Sequence, residues 1–291
     1  MPQESEHLRF VIIIPAYNES ENIGQCLDSL LRQSHKAKKI IVVDDGSTDN
    51  TAQIIQDYAL KYNGLESVST KAESRHEPGA KVINAFKKGL DTINLNEFDI
   101  ICKFDADLEF PEYYLEHLNK HFLSDAEIGL CSGVCSVLKN NEWQTEKLTN
   151  SDHVRGALKA YKVEAFEDIS GLLSQMGWDT ADEFKLRYRN WKVKVDESLI
   201  VKHFKPTAAF YKDEFYKKQG EVFFALRYGF FLTFIAALKI AYKRHQIFKF
   251  LLALESYISA GLNKTDYLLS REEGIYLRKY RWQRFLKKIE I

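Results

Sequence analysis

Four short apolar runs, separated by stretches of helical periodicity and polar turns, limit what the first half of this chain can fold into. Residues 10–14 form an unbroken row of aromatic and β-branched side chains that ends at Pro15, as in a strand buried on both faces. Behind it, Ile23, Leu27, Leu30 and Leu31 recur at helical spacing after two capping candidates, Asn18 and Ser20. The unit then repeats. Residues 39–43 read as a strand, 44–48 as a turn, and 51–62 as a helix with Ile54, Ile55, Tyr58 and Tyr62 inward. A third strand at 66–70 leads through a polar loop, 71–79, to a helix marked by Val82, Ala85, Phe86, Gly89 and Leu90, and then to a fourth strand at 98–104. Such alternation predicts an α/β fold with a mainly parallel, Rossmann-type sheet.

Beyond it the pattern loosens. Pro111 suits the first turn of a helix carrying Leu115, Leu118 and Phe122, and 128–138 reads as a strand. Residues 140–203 mix short helices (154–168, 182–189) with a strand pair (192–195 and 198–202), which predicts a partly antiparallel end. After Pro206 the composition turns aromatic and basic with helical periodicity, so a boundary is expected near residue 205 and a helical extension over 206–291.

Lys plus Arg equals Asp plus Glu at 41 each, which excludes a whole-chain electrostatic partner such as duplex nucleic acid. Cys26, Cys102, Cys131 and Cys135 show neither zinc-ligand spacing nor a disulfide framework and read as buried reduced thiols, in keeping with a cytoplasmic protein. The polar N-terminal residues 1–9 lack the apolar segment of a signal peptide. The longest apolar stretch, 228–237, is far shorter than the roughly 20 residues a spanning helix needs, so no transmembrane segment is expected.

Three constellations carry chemistry. Pro15-Ala16-Tyr17-Asn18-Glu19 follows the first strand and leads into a helix N-terminus, where unpaired N–H groups attract anions. The alternative is a strand stop and helix cap alone. Asp44-Asp45-Gly46-Ser47-Thr48-Asp49 closes the second strand at the edge where parallel sheets bind ligands; a carboxylate there can accept from a pyrimidine N–H, while Asp49 reads as a brace for the next helix. Asp105-Ala106-Asp107 follows the fourth strand. In an extended strand its two carboxylates would face opposite ways, so the chain must bend for both to serve one site; hard oxygen ligands in an open site suit Mg²⁺ or Mn²⁺.

Each constellation falls at the C-terminal end of a predicted strand, and together the segments 15–19, 42–51, 79–89, 104–107 and 177–203 resemble a family 2 glycosyltransferase of GT-A fold over about the first two hundred residues. The resemblance implies an inverting, hexosyl-transferring enzyme of cell-surface glycan synthesis that takes a nucleotide-sugar donor, a UDP- or GDP-sugar, and a glycan or lipid-linked acceptor with Mn²⁺ or Mg²⁺. It implies a catalytic domain over 1–205, with its nucleotide-binding part at about 9–138 and its acceptor part at about 139–205. By the same resemblance Pro15, Ala16, Tyr17 and Glu19 meet the nucleotide, Asp45 holds the base, Lys81 reaches the diphosphate, and Asp105 with Ala106 and Asp107 forms the ribose- and metal-binding segment. Asp107 is the direct ligand and His203 a further one, a structural role being the alternative for the histidine.

Gly177-Trp178-Asp179-Thr180-Ala181-Asp182-Glu183 resembles the family's acidic motif, with Asp179 as the leading base and Asp182 the runner-up; the register is shifted from the usual Glu-Asp pair. A capping box with Thr180 as N-cap and Glu183 reaching back is the structural reading of the same residues, and core packing that of Trp178. A noncatalytic nucleotide-sugar-binding protein and a nucleotidyltransferase are the competing functions. For the aromatic and basic extension two roles stand side by side: peripheral contact with the inner face of a membrane, or packing on the catalytic domain or a second copy as a homodimer.

Overall fold

The structure, a computed structural model, describes residues 7–70, 79–145, 153–205 and 213–287. In chain order the first part contains β1 (Phe10–Ala16), α1 (Ile23–Leu31), β2 (Lys39–Asp44), α2 (Thr51–Lys61), β3 (Leu65–Ser69) and α3 (Ala80–Leu90). There follow β4 (Ile100–Phe104), β5 (Leu108–Glu109), α4 (Tyr114–Ser124), β6 (Ile128–Lys139), β7 (Glu142–Thr145), β8 (Leu158–Lys162) and α5 (Val163–Asp168). The chain ends with α6 (Trp178–Tyr188), β9 (Lys192–His203), α7 (Asp213–Ala225), α8 (Phe230–Lys243), α9 (Phe250–Leu262) and α10 (Arg271–Lys287).

Two units separate by their internal packing: Met1–Gln175 with Arg189–Pro206, and Met176–Tyr188 with Thr207–Ile291. All strands of the described residues lie in the first, in one sheet of order β3-β2-β1-β4-β8-β6-β9-β5, with β7 paired to β6. The run β3-β2-β1-β4 is wholly parallel, and β8 turns the sheet antiparallel at β4 and β6. This is the expected α/β class with a mixed end. Every residue of β4, and Phe10 to Ile14 of β1, is buried, because helices cover both faces of the parallel half. Gly89 is required on α3: a Cβ there would lie 2.7 Å from Ile13 Cγ2 and 2.9 Å from Val43 Cγ2, so its absence lets the helix lie flat on β1 and β2.

Several local expectations are corrected. Pro15 does not stop β1, which pairs with β2 through Pro15↔Val43 and Ala16↔Asp44. Ala16 O accepts from the Asp45 N–H, so the backbone of Pro15 faces the other neighbour, β4, whose pairing ends at Ile13; no ladder donor is lost there. α4 starts at Tyr114 rather than near Pro111, whose carbonyl accepts from the Tyr114 N–H. Residues 192–203 are one strand, not a pair. β9 runs parallel to β6 with an irregularity between Ser132 and Val134, where Asp196 Oδ1 ties down the Ser198 N–H (2.9 Å) and a Cβ on Gly133 would fall 2.1 Å from Leu199 O.

The second unit is helical. Residues 176–188, counted with the sheet domain in the sequence reading, cluster instead with 207–291: α6 packs against α10, with Phe184 and Tyr280 ring centroids 5.6 Å apart. α7 and α9 approach so closely that a Cβ on Gly220 would sit 2.1 Å from Ala253 O.

Candidate active site

The ends of β1, β2 and β4 and the start of α3 enclose a pocket of about 300 Å³ lined by Pro15, Ala16, Tyr17, Glu19, Asp45, Lys81, Val82, Ala85, Asp105, Ala106 and Asp107. Every nucleotide-side residue named from the sequence is therefore in one place. The loops after β1 and β2 are knitted together. Asn18, at φ 52°, donates its N–H to Ser47 Oγ (3.0 Å) and accepts from the Thr48 N–H (2.8 Å). The Glu19 N–H donates to Thr51 Oγ1 (2.7 Å) and the Ser20 N–H to Asp49 Oδ2 (3.2 Å). This corrects two readings. The amides ahead of α1 are engaged by the second loop rather than open to an anion, and the N-cap of α1 is Asn22, without a side-chain cap bond, rather than Asn18 or Ser20. Asp49 braces α2 as expected, accepting from the Thr51 N–H at 3.0 Å.

What remains open on the pocket wall is side chain. Asp45 is half-buried, with Oδ1 accepting from Thr70 Oγ1 at 2.9 Å, which fixes the carboxylate beside the pocket mouth. Lys81 Nζ lies 5.4 Å from the centroid of the Tyr17 ring, so its charge sits over an aromatic face inside the pocket. Glu19 is drawn toward Lys205, Oε2 to Nζ 2.7 Å. Burial raises its carboxyl above the ordinary value, with Lys205 opposing and Asp107 adding to the rise.

After Phe104 the chain turns, and the bend brings both acids to one side. Ligand atoms of Asp105, Asp107 and His203 all lie within 4.8 Å of one another. The β5–β9 pairing, Leu108↔His203, sets the histidine opposite the turn, where His203 Nε2 is 3.2 Å from Asp107 Oδ2. Its Nδ1 is buried with no hydrogen-bond partner. Burial disfavours the imidazolium, yet the Asp107 carboxylate and neighbouring Cys135 outweigh it and push His203 up to about 10. Two carboxylates and an imidazole gathered beside the pocket can supply ligands to a divalent cation, which would have to displace the imidazolium proton to use the ring nitrogen. Such a mixed oxygen and nitrogen donor set is compatible with Mn²⁺ or Mg²⁺.

Residues 11–172, more than half of the chain, match the model of glycosyl transferase family 2. The chain belongs to that family. Among curated relatives of this family 2 chain, the uncharacterized glycosyltransferase MG025 homolog of Mycoplasma pneumoniae is 33% identical over 118 residues, 40% of this chain and 37% of the relative. The poly-beta-1,6-N-acetyl-D-glucosamine synthase of Staphylococcus aureus is 29% identical over 204 residues, 63% and 47%. The chain thus spans less than half the length of these relatives. Among solved structures, the mannosyltransferase PcManGT from Pyrobaculum calidifontis in complex with GDP-Man and Mn²⁺ aligns over 96% of this chain and 81% of its own, with TM-score 0.56 and 16% identity. That likeness establishes the shared GT-A fold.

The site of the family 2 chain also holds residues that the sequence reading missed. Lys103, on β4 and buried, turns its ammonium to Asp105 Oδ1 and donates to Gly156 O at 3.0 Å. A lysine inside an apolar strand two residues ahead of an acid was the available signal. Thr70 and Lys205 had none, since each reaches its partner across the fold.

The acidic motif belongs to the second unit. Gly177, at φ 91°, accepts from the Thr180 and Ala181 N–H groups, so α6 begins at Trp178 and Thr180 lies inside the helix; the capping box is not formed. Asp179 sits half-buried in the first turn, whereas Asp182 and Glu183 are buried and Asp182 Oδ1 accepts from the Glu183 N–H at 2.6 Å. Trp178 is buried, as a core residue would be.

Proposed function

We propose that this chain is an inverting glycosyltransferase that moves a hexosyl unit from a UDP- or GDP-sugar to a hydroxyl of a glycan or lipid-linked acceptor. The observation that carries the reading is the convergence of the three strand ends on one pocket edged by Asp105, Asp107 and His203. Asp45 faces the base, Tyr17 and Pro15 wall the nucleoside, and Lys81 stands where the diphosphate enters. Asp107, Asp105 and His203 hold the cation. A bound Mn²⁺ or Mg²⁺ supplies Lewis-acid neutralisation of the leaving diphosphate, an effect of several kcal/mol.

Asp179 is the general base. Asp179 is half-buried in the first turn of α6, whereas Asp182 is buried and accepts from the Glu183 N–H, which favours Asp179 over Asp182. The acceptor proton passes to Asp179, the acceptor oxygen bonds to the anomeric carbon, and the bond from that carbon to the diphosphate breaks on the opposite face. Configuration inverts, and a nucleoside diphosphate leaves.

The test is a donor and acceptor screen with Mn²⁺, the anomeric configuration of the product being read by NMR for wild type, Asp179→Asn and Asp182→Asn. Inverted product, lost in Asp179→Asn and retained in Asp182→Asn, is expected. Retention of configuration, or full turnover in Asp179→Asn, contradicts the proposal.

A further inference from the structure

We infer that the α8–α9 hairpin of the helical unit is a docking face for an anionic lipid surface, which lies flat on the bilayer and does not cross it. α8 buries Leu232, Thr233, Ala237 and Ala241, and α9 buries Ala253, Ser256 and Ala260, so the two helices turn small residues inward. The large apolar side chains point away from the unit. Phe231 is 75% exposed, Tyr242 72%, Phe248 81% and Leu262 79%, with Leu251 and Ile258 each more than half exposed. On α8 the positions 231, 234, 238 and 242 fall on one stripe at helical spacing, and the turn between the helices adds Ile247 and Phe248 at the tip. So much exposed aromatic surface in one place is unusual for a face that meets only water.

Charge selects the occupant. From Val222 to Leu254 the sequence contains no aspartate or glutamate, and Lys239, Lys243 and Arg244 lie on α8 or just past it, while Arg227 donates to Leu269 O and Lys249 pairs with Asp213. Lys239 and Lys243 lie about 60° and 100° round α8 from Tyr242 at roughly 100° per residue, along one flank of the apolar stripe. Aromatics in the middle and cations at the side match the boundary between acyl chains and anionic headgroups. A symmetric contact with a second copy fits less well, because it would set Lys239, Lys243 and Arg244 against their own copies, with Glu255 of α9 the one acid on the hairpin. Crossing is excluded by length: no helix among the described residues is long and apolar enough, and the 14 residues of α8 span roughly 21 Å against roughly 30 Å of hydrocarbon.

The experiment is sedimentation of the full chain with vesicles of phosphatidylcholine alone or with 30% phosphatidylglycerol (about a third anionic lipid, as a probe). Binding should appear with the anionic vesicles and fall on raising salt. Phe248→Ser, at a side chain that packs on little, should weaken it roughly tenfold, and Lys243→Glu roughly five-fold or more, with circular dichroism unchanged. Absence of binding to either vesicle overturns the proposal, as does equal binding to both. A dimer by light scattering that Phe248→Ser dissolves, without vesicle binding, also overturns it and assigns the face to self-association. None of these readouts depends on glycosyl transfer.

Discussion

At the residue scale, the site is a set of charges held by specific partners. Asp107→Ala removes the acid that His203 faces, and turnover should fall by roughly 10²–10³-fold, matching the several kcal/mol assigned to the cation. Lys103→Met should leave the fold intact while weakening Mn²⁺ affinity between about 10- and 100-fold, because Asp105 loses the ammonium that orients it. Electron paramagnetic resonance of free Mn²⁺ measures this without any turnover; unchanged affinity would contradict the positioning role. Away from the site, Asp196 links α4 to β9 by accepting from Ser198 and meeting His121 Nε2 at 2.6 Å. Burial works against its ionisation, and the bonds from Ser198 and His121 prevail, lowering it to about 2. Since the folded value lies below the unfolded one, about 3.9, the stabilisation is complete above pH 4 and is lost as pH falls toward 2. It amounts to about 1–2 kcal/mol, and Asp196→Asn should flatten the acid limb of a stability-versus-pH curve by that much. An acid limb identical to wild type would refute it.

At the element scale, glycines decide how closely layers pack. Gly133→Ala drives a methyl into the Leu199 carbonyl of β9, and Gly220→Ala into the Ala253 carbonyl of α9. Each should cost about 1–3 kcal/mol in urea denaturation, the first in the sheet unit and the second in the helical one. The parallel strands were legible from the sequence because burial on both faces forces long apolar runs, and 10–14, 39–43 and 98–104 contain little else. β5 was not, being two residues long and defined only by its pairing with Lys202 and His203. The continuity of β9 was also hidden. Asp196, Glu197 and Ser198 read as a turn, whereas in the sheet the Asp196 side chain bridges a local bulge and the strand carries on beside β6.

At the scale of the whole molecule, two kinds of information differ in how local they are. Asp105 and Asp107 could be read as a metal pair because spacing and strand position are both written in a short segment. His203 joins them through the sheet, and Lys205 reaches Glu19 from the far end of the same unit. Residues 176–188 illustrate the opposite limit. Their allegiance to the helical unit rests on packing with 271–287, nearly a hundred residues on, where no periodicity could announce it. The central claim is that the pocket at the ends of β1, β2 and β4 holds a nucleoside diphosphate through a cation on Asp105, Asp107 and His203. Isothermal titration of UDP and GDP, with and without Mn²⁺, against wild type and Asp107→Ala tests it most directly. Binding of one nucleotide that needs Mn²⁺ and disappears in Asp107→Ala is the predicted result; equal binding without metal, or in the variant, would contradict it.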